Sequence, residues 1–243
     1  MNPIKQSIAL LGTVLIFGSI VLPASSQTSP ISIAQISAVD LLDRGHKKLE
    51  SGDFTGAIAD FNEVIRLNPD DEAAYFGRAG ARMFSGDLSG SIPDFDETIR
   101  LNPQNTHAYY YRGLARYNLG YIDGAISDCN EVIRLDSNYE LAYMLRGSAR
   151  NHSGDLSGSL SDFDRVVQLN PENVTAYLKR GYARYLSGDI SGANADAQDA
   201  IRINSNFAEA YSLRGIVRIT LGETKEGKAD LERSIALFEE QEN

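Results

Sequence analysis

The chain has 243 residues, 42% hydrophobic and 23% charged, the balance of a packed protein and not of a disordered or fibrous one. Its net charge of −10 argues against a nucleic-acid partner, because phosphate binding is driven by clustered Lys and Arg. A single cysteine, Cys129, excludes an internal disulfide framework.

The first 26 residues differ from the rest. Lys5 is their only charge, and an apolar run from Ile8 to Leu22 follows. That run has the length of the hydrophobic part of an export signal and is short for a membrane span. Ala24 and Ser26 supply small residues at the −3 and −1 places of a cut after Ser26. The expectation is an exported protein, periplasmic or secreted, that meets a membrane only if this segment stays uncleaved. Residues 27–37 (QTSPISIAQIS) are expected to be a short flexible lead-in.

From Ala38 the chain is periodic. Asn68-Pro69, Asn102-Pro103 and Asn170-Pro171 fall on a 34-residue spacing, with Asp136-Ser137 and Asn204-Ser205 in the two missing steps. Six registers result: 38–71, 72–105, 106–139, 140–173, 174–207 and 208–241. Position 4 is Leu41 and then Tyr75, Tyr109, Tyr143, Tyr177 and Tyr211; position 8 is Gly or Ala; position 15 is always Gly. This spacing predicts a helix of about 13 residues, a glycine turn, and a second helix that usually ends at the Asn-Pro break. A mid-helix glycine costs about 1 kcal/mol relative to Ala. Its recurrence at position 8 therefore implies close approach of another helix.

With a large residue at 4, a small one at 8 and Pro at 32, the sequence resembles the tetratricopeptide repeat family along 38–241. The stretch Tyr-Tyr-Tyr-Arg-Gly-Leu-Ala-Arg at 109–116 is similar to a variant common in bacterial repeat proteins. The resemblance implies an all-α fold, a right-handed superhelical solenoid of six helix–turn–helix units, in which each repeat contacts mainly its neighbours. It also implies an interaction protein and not an enzyme.

Charges recur in register. Position 7 is arginine six times (Arg44, Arg78, Arg112, Arg146, Arg180, Arg214), and position 11 is Lys48 and then Arg82, Arg116, Arg150, Arg184 and Arg218. Position 23 is Asp60, Asp94, Asp128, Asp162, Asp196 and Asp230. Two cations one turn apart repel unless a carboxylate intervenes, so pairs such as Arg112–Asp128 and Arg146–Asp162 are expected to hold the helix hairpins together. Glycines at position 19 (Gly56, Gly90, Gly124, Gly158, Gly192) are expected to make room for the second cation's stem. Lys47, Asn194 and Lys228 put polar residues at otherwise apolar positions near the ends of the array, and Pro93 is expected to kink or delay its helix.

Chemistry is scarce. His46, His107 and His152 sit in three different repeats without ligand spacing, so no metal or cofactor is expected. Cys129 occupies the aromatic core position 24 and is expected to be buried and inert. No nucleophile elbow, P-loop or dinucleotide fingerprint appears, and no catalytic residue is assigned.

The resemblance places the binding groove on the first helix of each repeat. It then comprises Phe76, Met83 and Phe84; His107, Tyr110, Leu114 and Tyr117; Leu141, Met144, Asn151 and His152; and Leu178, Tyr182, Tyr185 and Leu186. Tyr and Met there suit an extended peptide or a partner helix, so the expected partner is a protein or peptide. A carbohydrate, stacked on the tyrosines by an accessory of polysaccharide assembly, is the alternative. The Lys/Asn clamp with which relatives grip a terminal carboxylate is absent: Leu42, Phe76, Tyr110, Tyr111, His46 and Gly80 stand in its places.

Overall fold

A computed structural model describes residues 33–242, and the expected export signal lies outside them. Among the described residues the structure is all-α, twelve helices with no strand. They are α1 (Ile33–Ser51), α2 (Phe54–Leu67), α3 (Glu72–Phe84), α4 (Leu88–Leu101), α5 (Thr106–Asn118), α6 (Ile122–Leu135), α7 (Glu140–Ser153), α8 (Leu156–Leu169), α9 (Val174–Ser187), α10 (Ile190–Ile203), α11 (Ala208–Thr220) and α12 (Thr224–Glu242). Helix α1 begins inside the stretch expected as a flexible lead-in. The chain divides into two compact units, the first ending at Tyr121 and the second beginning at Ile122. In each, every helix packs on the next, and alternate helices also touch: α1 with α3 in the first unit, α7 with α9 and α9 with α11 in the second.

Local chemistry sets the helix ends. Asp71, Asn105 and Asn173 cap α3, α5 and α9 by accepting from Ala74, Ala108 and Ala176 N–H at 2.9–3.0 Å. Asp53, Asp87, Asp155 and Asp189 cap α2, α4, α8 and α10 in the same way, each accepting from a glycine N–H at 2.9 Å. A Cβ on those glycines would overlap the capping carboxylate, and on Gly158 or Gly192 it would also crowd the stem of Arg150 or Arg184. The position-19 glycine thus answers to the cap first and to the cation second. At position 15 all six glycines take φ between +81° and +93°, where a side chain is strained.

Packing explains the other small residues. Ala74, Ala108, Ala142, Ala176 and Ala210, at position 3, are 0% exposed. At position 8, a Cβ on Gly45 would stand 2.7 Å from the Phe61 ring, and one on Gly147 would stand 2.8 Å from the Phe163 ring. The close approach implied by these glycines comes from the position-24 aromatic of the same repeat. The first unit has cores around Phe61 and around Phe76, Phe95 and Tyr111; the second has cores around Leu178, Leu213 and Val217 and around Tyr177, Ala200 and Ala210. Pro93 neither delays nor interrupts its helix. Helix α4 begins at Leu88, one residue after its capping Asp87, and runs through Pro93, whose side is exposed.

Candidate partner-binding surface and the arginine ladder

The register charges form a ladder inside each unit. Asp60, Asp94, Asp162, Asp196 and Asp230 are buried, and each holds two cations. Arg146 places Nη2 2.6 Å from Asp162 Oδ1, while Arg150 Nη1 lies 2.8 Å from Asp162 Oδ2. Asp128, the partner expected for Arg112, belongs to the other unit. Hydrogen bonding from Arg44 outweighs burial at Asp60 and holds its carboxyl below the ordinary value of 3.8.

The ladder has two parts that single-repeat reasoning does not see. Each position-7 arginine from Arg78 to Arg180 also donates Nη1 to position 25 of the preceding repeat: Asn62 at 2.7 Å, Asp96 at 2.6 Å, Asn130 at 2.7 Å and Asp164 at 2.7 Å. Each also stacks on the position-4 tyrosine of its own helix, with the guanidinium carbon of Arg78, Arg112, Arg146, Arg180 and Arg214 at 5.2–5.5 Å from the ring centroid. The signal was in the sequence as a polar residue at position 25 of the first four repeats. One guanidinium therefore ties a helix hairpin together and fastens it to its neighbour.

The expected groove residues divide. Phe76, Met83 and Leu178 are only 2%, 8% and 9% exposed, so they are core and not groove lining. Positions 5 and 12 turn into the seam between adjacent first helices, and there Phe76 packs its ring 6.0 Å from Phe95 and 6.2 Å from Tyr111. Half-buried positions in the first unit hold Phe84, His107, Tyr110, Leu114 and Tyr117. In the second they hold Met144, Asn151, Tyr182 and Tyr185, with Leu141 and Leu186 exposed. Burial lowers the His107 pKa, which favours the neutral ring, and burial with Glu209 nearby raises the Tyr182 phenol. Asn151 carries a buried Oδ1 without a hydrogen-bond partner, and Lys179, at position 6 of the next repeat, is half-buried with its pKa lowered by desolvation. Burial, reinforced by Asp128, pushes the Cys129 thiol up to about 12, so it stays protonated. Among the described residues no group of three His, Cys, Asp or Glu side chains is placed to hold a metal ion. No described helix is long and apolar enough to cross a membrane.

These features define an all-α repeat protein built from capped helix pairs. A tetratricopeptide repeat profile matches residues 42–83, 81–140 and 144–209, more than half of the sequence, and the chain belongs to that family. No curated protein sequence matches it significantly. Many solved structures share the fold. MamA from Desulfovibrio magneticus RS-1 is 17% identical, with 71% of this chain and 97% of that one covered and a TM-score of 0.67. YrrB, described as a TPR protein with an unusual peptide-binding site, is 17% identical over 73% of this chain and 91% of its own, with a TM-score of 0.62. The pilF protein of Pseudomonas aeruginosa is 12% identical over 81% and 90%, with a TM-score of 0.67.

Proposed function

We propose that this chain is an exported, non-enzymatic scaffold whose first helices bind an apolar peptide segment or partner helix. The observation that carries the reading is the apolar exposure of two first helices in the second unit. Leu141 on α7 and Leu186 on α9 are 39% and 61% exposed, on the helices that also carry half-buried Met144, Tyr182 and Tyr185. Aliphatic and aromatic side chains with a few hydroxyls are what a peptide's apolar side chains and backbone groups require. The description of YrrB, a protein of the same fold, as having an unusual peptide-binding site supports a peptide ligand. The arginines do not compete for the role, because the ladder already engages them with acids, amides and rings.

The test begins with a displayed peptide library panned against the chain, followed by titration of the selected peptides. The Leu141→Glu/Leu186→Glu double variant changes two exposed side chains, so its melting curve should match that of the parent. Its peptide affinity should fall at least about tenfold, or 1.4 kcal/mol. Unchanged affinity sinks the assignment of this surface, and glycan binding that depends on Tyr182 and Tyr185 would move the reading to carbohydrate. Export has its own check: the chain recovered from outside the cytoplasm should begin at Gln27. Recovery only inside the cell, with Met1 retained, refutes that part.

A further inference from the structure

The two ends of the array are chemically unlike. Positions 3, 6 and 10 of a first helix face the preceding repeat. In α11 they hold Ala210, Leu213 and Val217, all 0% exposed. In α1 the same positions hold Asp40, Asp43 and Lys47, and all three are exposed. Charges there oppose the seating of another apolar helix, because each would have to be desolvated. Repeat six does the reverse. Positions 9, 12 and 28, which in repeat five (Tyr182, Tyr185, Ile201) pack toward α11, hold Ile216, Ile219 and Ile235, and these are 36%, 40% and 58% exposed.

Helix α12 departs from the register as well. The other five repeats carry Asn or Asp at position 31, and four of those residues are described as helix C-caps. Repeat six has Phe238 there, 42% exposed, and its second helix runs 19 residues where the others run 14. Its charges are mixed in the first half, where Lys225, Lys228 and Arg233 stand with Glu226, Asp230 and Glu232, while Glu239, Glu240 and Glu242 make the end acidic and leave the last turn without a base. A second α12 lying antiparallel would set the acidic end of each copy against the half of the other that carries Lys225 and Lys228.

We propose that the apolar face of repeat six is an interface between two copies of this chain, related by a two-fold axis, with α12 antiparallel to its mate. A two-fold axis at the level of Arg233 and Ser234 sets Lys228 of one copy opposite Glu239 of the other. The same patch serves both partners, so the contact closes on itself, as an isologous interface must. A head-to-tail stack is the worse solution, since it would press Asp40, Asp43 and Lys47 onto Ile235 and Phe238. This reading is independent of the peptide-binding surface, which shares none of these residues.

Sedimentation velocity of the full chain across a micromolar concentration series tests it. A monomer–dimer equilibrium is expected. Ile235→Glu/Phe238→Glu should weaken association more than tenfold while the helical circular dichroism and melting curve stay as in the parent. Lys228→Glu should weaken it and Lys228→Glu/Glu239→Lys should restore it, a rescue that only the antiparallel pairing provides. A parent that is monomeric throughout, or a dimer indifferent to the Ile235/Phe238 variant, overturns the proposal. Open-ended growth to larger species would also overturn it, in favour of head-to-tail stacking.

Discussion

Replacing Asp162 with alanine is expected to destabilise the second unit by about 3 kcal/mol, read as a lowered midpoint of urea unfolding. The Asp162 side chain is 2% exposed and accepts from Arg146 Nη2 at 2.6 Å and from Arg150 Nη1 at 2.8 Å. Without it, two guanidinium groups one turn apart on α7 keep their desolvation cost and gain mutual repulsion. Breaking a buried pair costs about 3–5 kcal/mol, and the low end applies because the Arg146 and Arg150 side chains are 14% and 24% exposed and reach some water. Arg146 also keeps its bond to Asn130 and its stack on Tyr143, which limits its rearrangement. Asp164→Ala is the internal control. It removes a carboxylate that is 49% exposed from Arg180, itself 12% exposed, and a half-exposed pair of that kind is worth about 1 kcal/mol. A loss at Asp162 no larger than at Asp164, accompanied by lost ligand binding, would turn the ladder from scaffolding into a recognition surface.

How far the sequence discloses this structure depends on whether a residue's partner lies in its own repeat. Arg146 and Asp162 are sixteen residues apart across one glycine turn, and the hairpin geometry alone brings them together. The bond from Arg146 back to Asn130 has the same separation in the opposite direction, but it crosses to the preceding repeat, where the stacking of units decides the geometry. The fold class is legible because capping, turn and packing residues all repeat with one period. The surface is less so. Phe76 and Tyr110 share position 5, yet one is buried and the other half-buried. What differs is the neighbour: Phe76 closes on Phe95 of its own repeat and on Tyr111 of the next, and the second contact is one that no single-repeat pattern contains. Phe238 shows the reverse case, where one departure from the register is the signal.

Phe61→Ala is expected to cost about 4 kcal/mol in the first unit, the usual loss for deleting a fully buried ring. Phe61 is 0% exposed, and it fills the space that two glycines leave on adjacent first helices. A Cβ on Gly45 would lie 2.7 Å from its ring, a Cβ on Gly77 would crowd the ring's far edge, and His46 packs 5.2 Å away between centroids. The seam between repeats five and six solves the same problem from the other side. There position 24 is Ala197, position 6 of the next repeat is Leu213, and a Cβ on Gly181 would stand 2.7 Å from the Leu213 Cδ2. Volume is conserved across the seam while its source moves from one repeat to the next. Phe61→Ala/Gly77→Leu should therefore recover about half of the single-variant loss, because leucine refills the cavity and also restores about 1 kcal/mol of helix propensity. Urea midpoints of the parent, both single variants and the double variant form the cycle that measures this coupling. Gly77→Leu alone should be destabilising against the intact Phe61 ring. A double variant less stable than Phe61→Ala would show that the seam is specified by backbone approach at Gly77 and not by conserved volume.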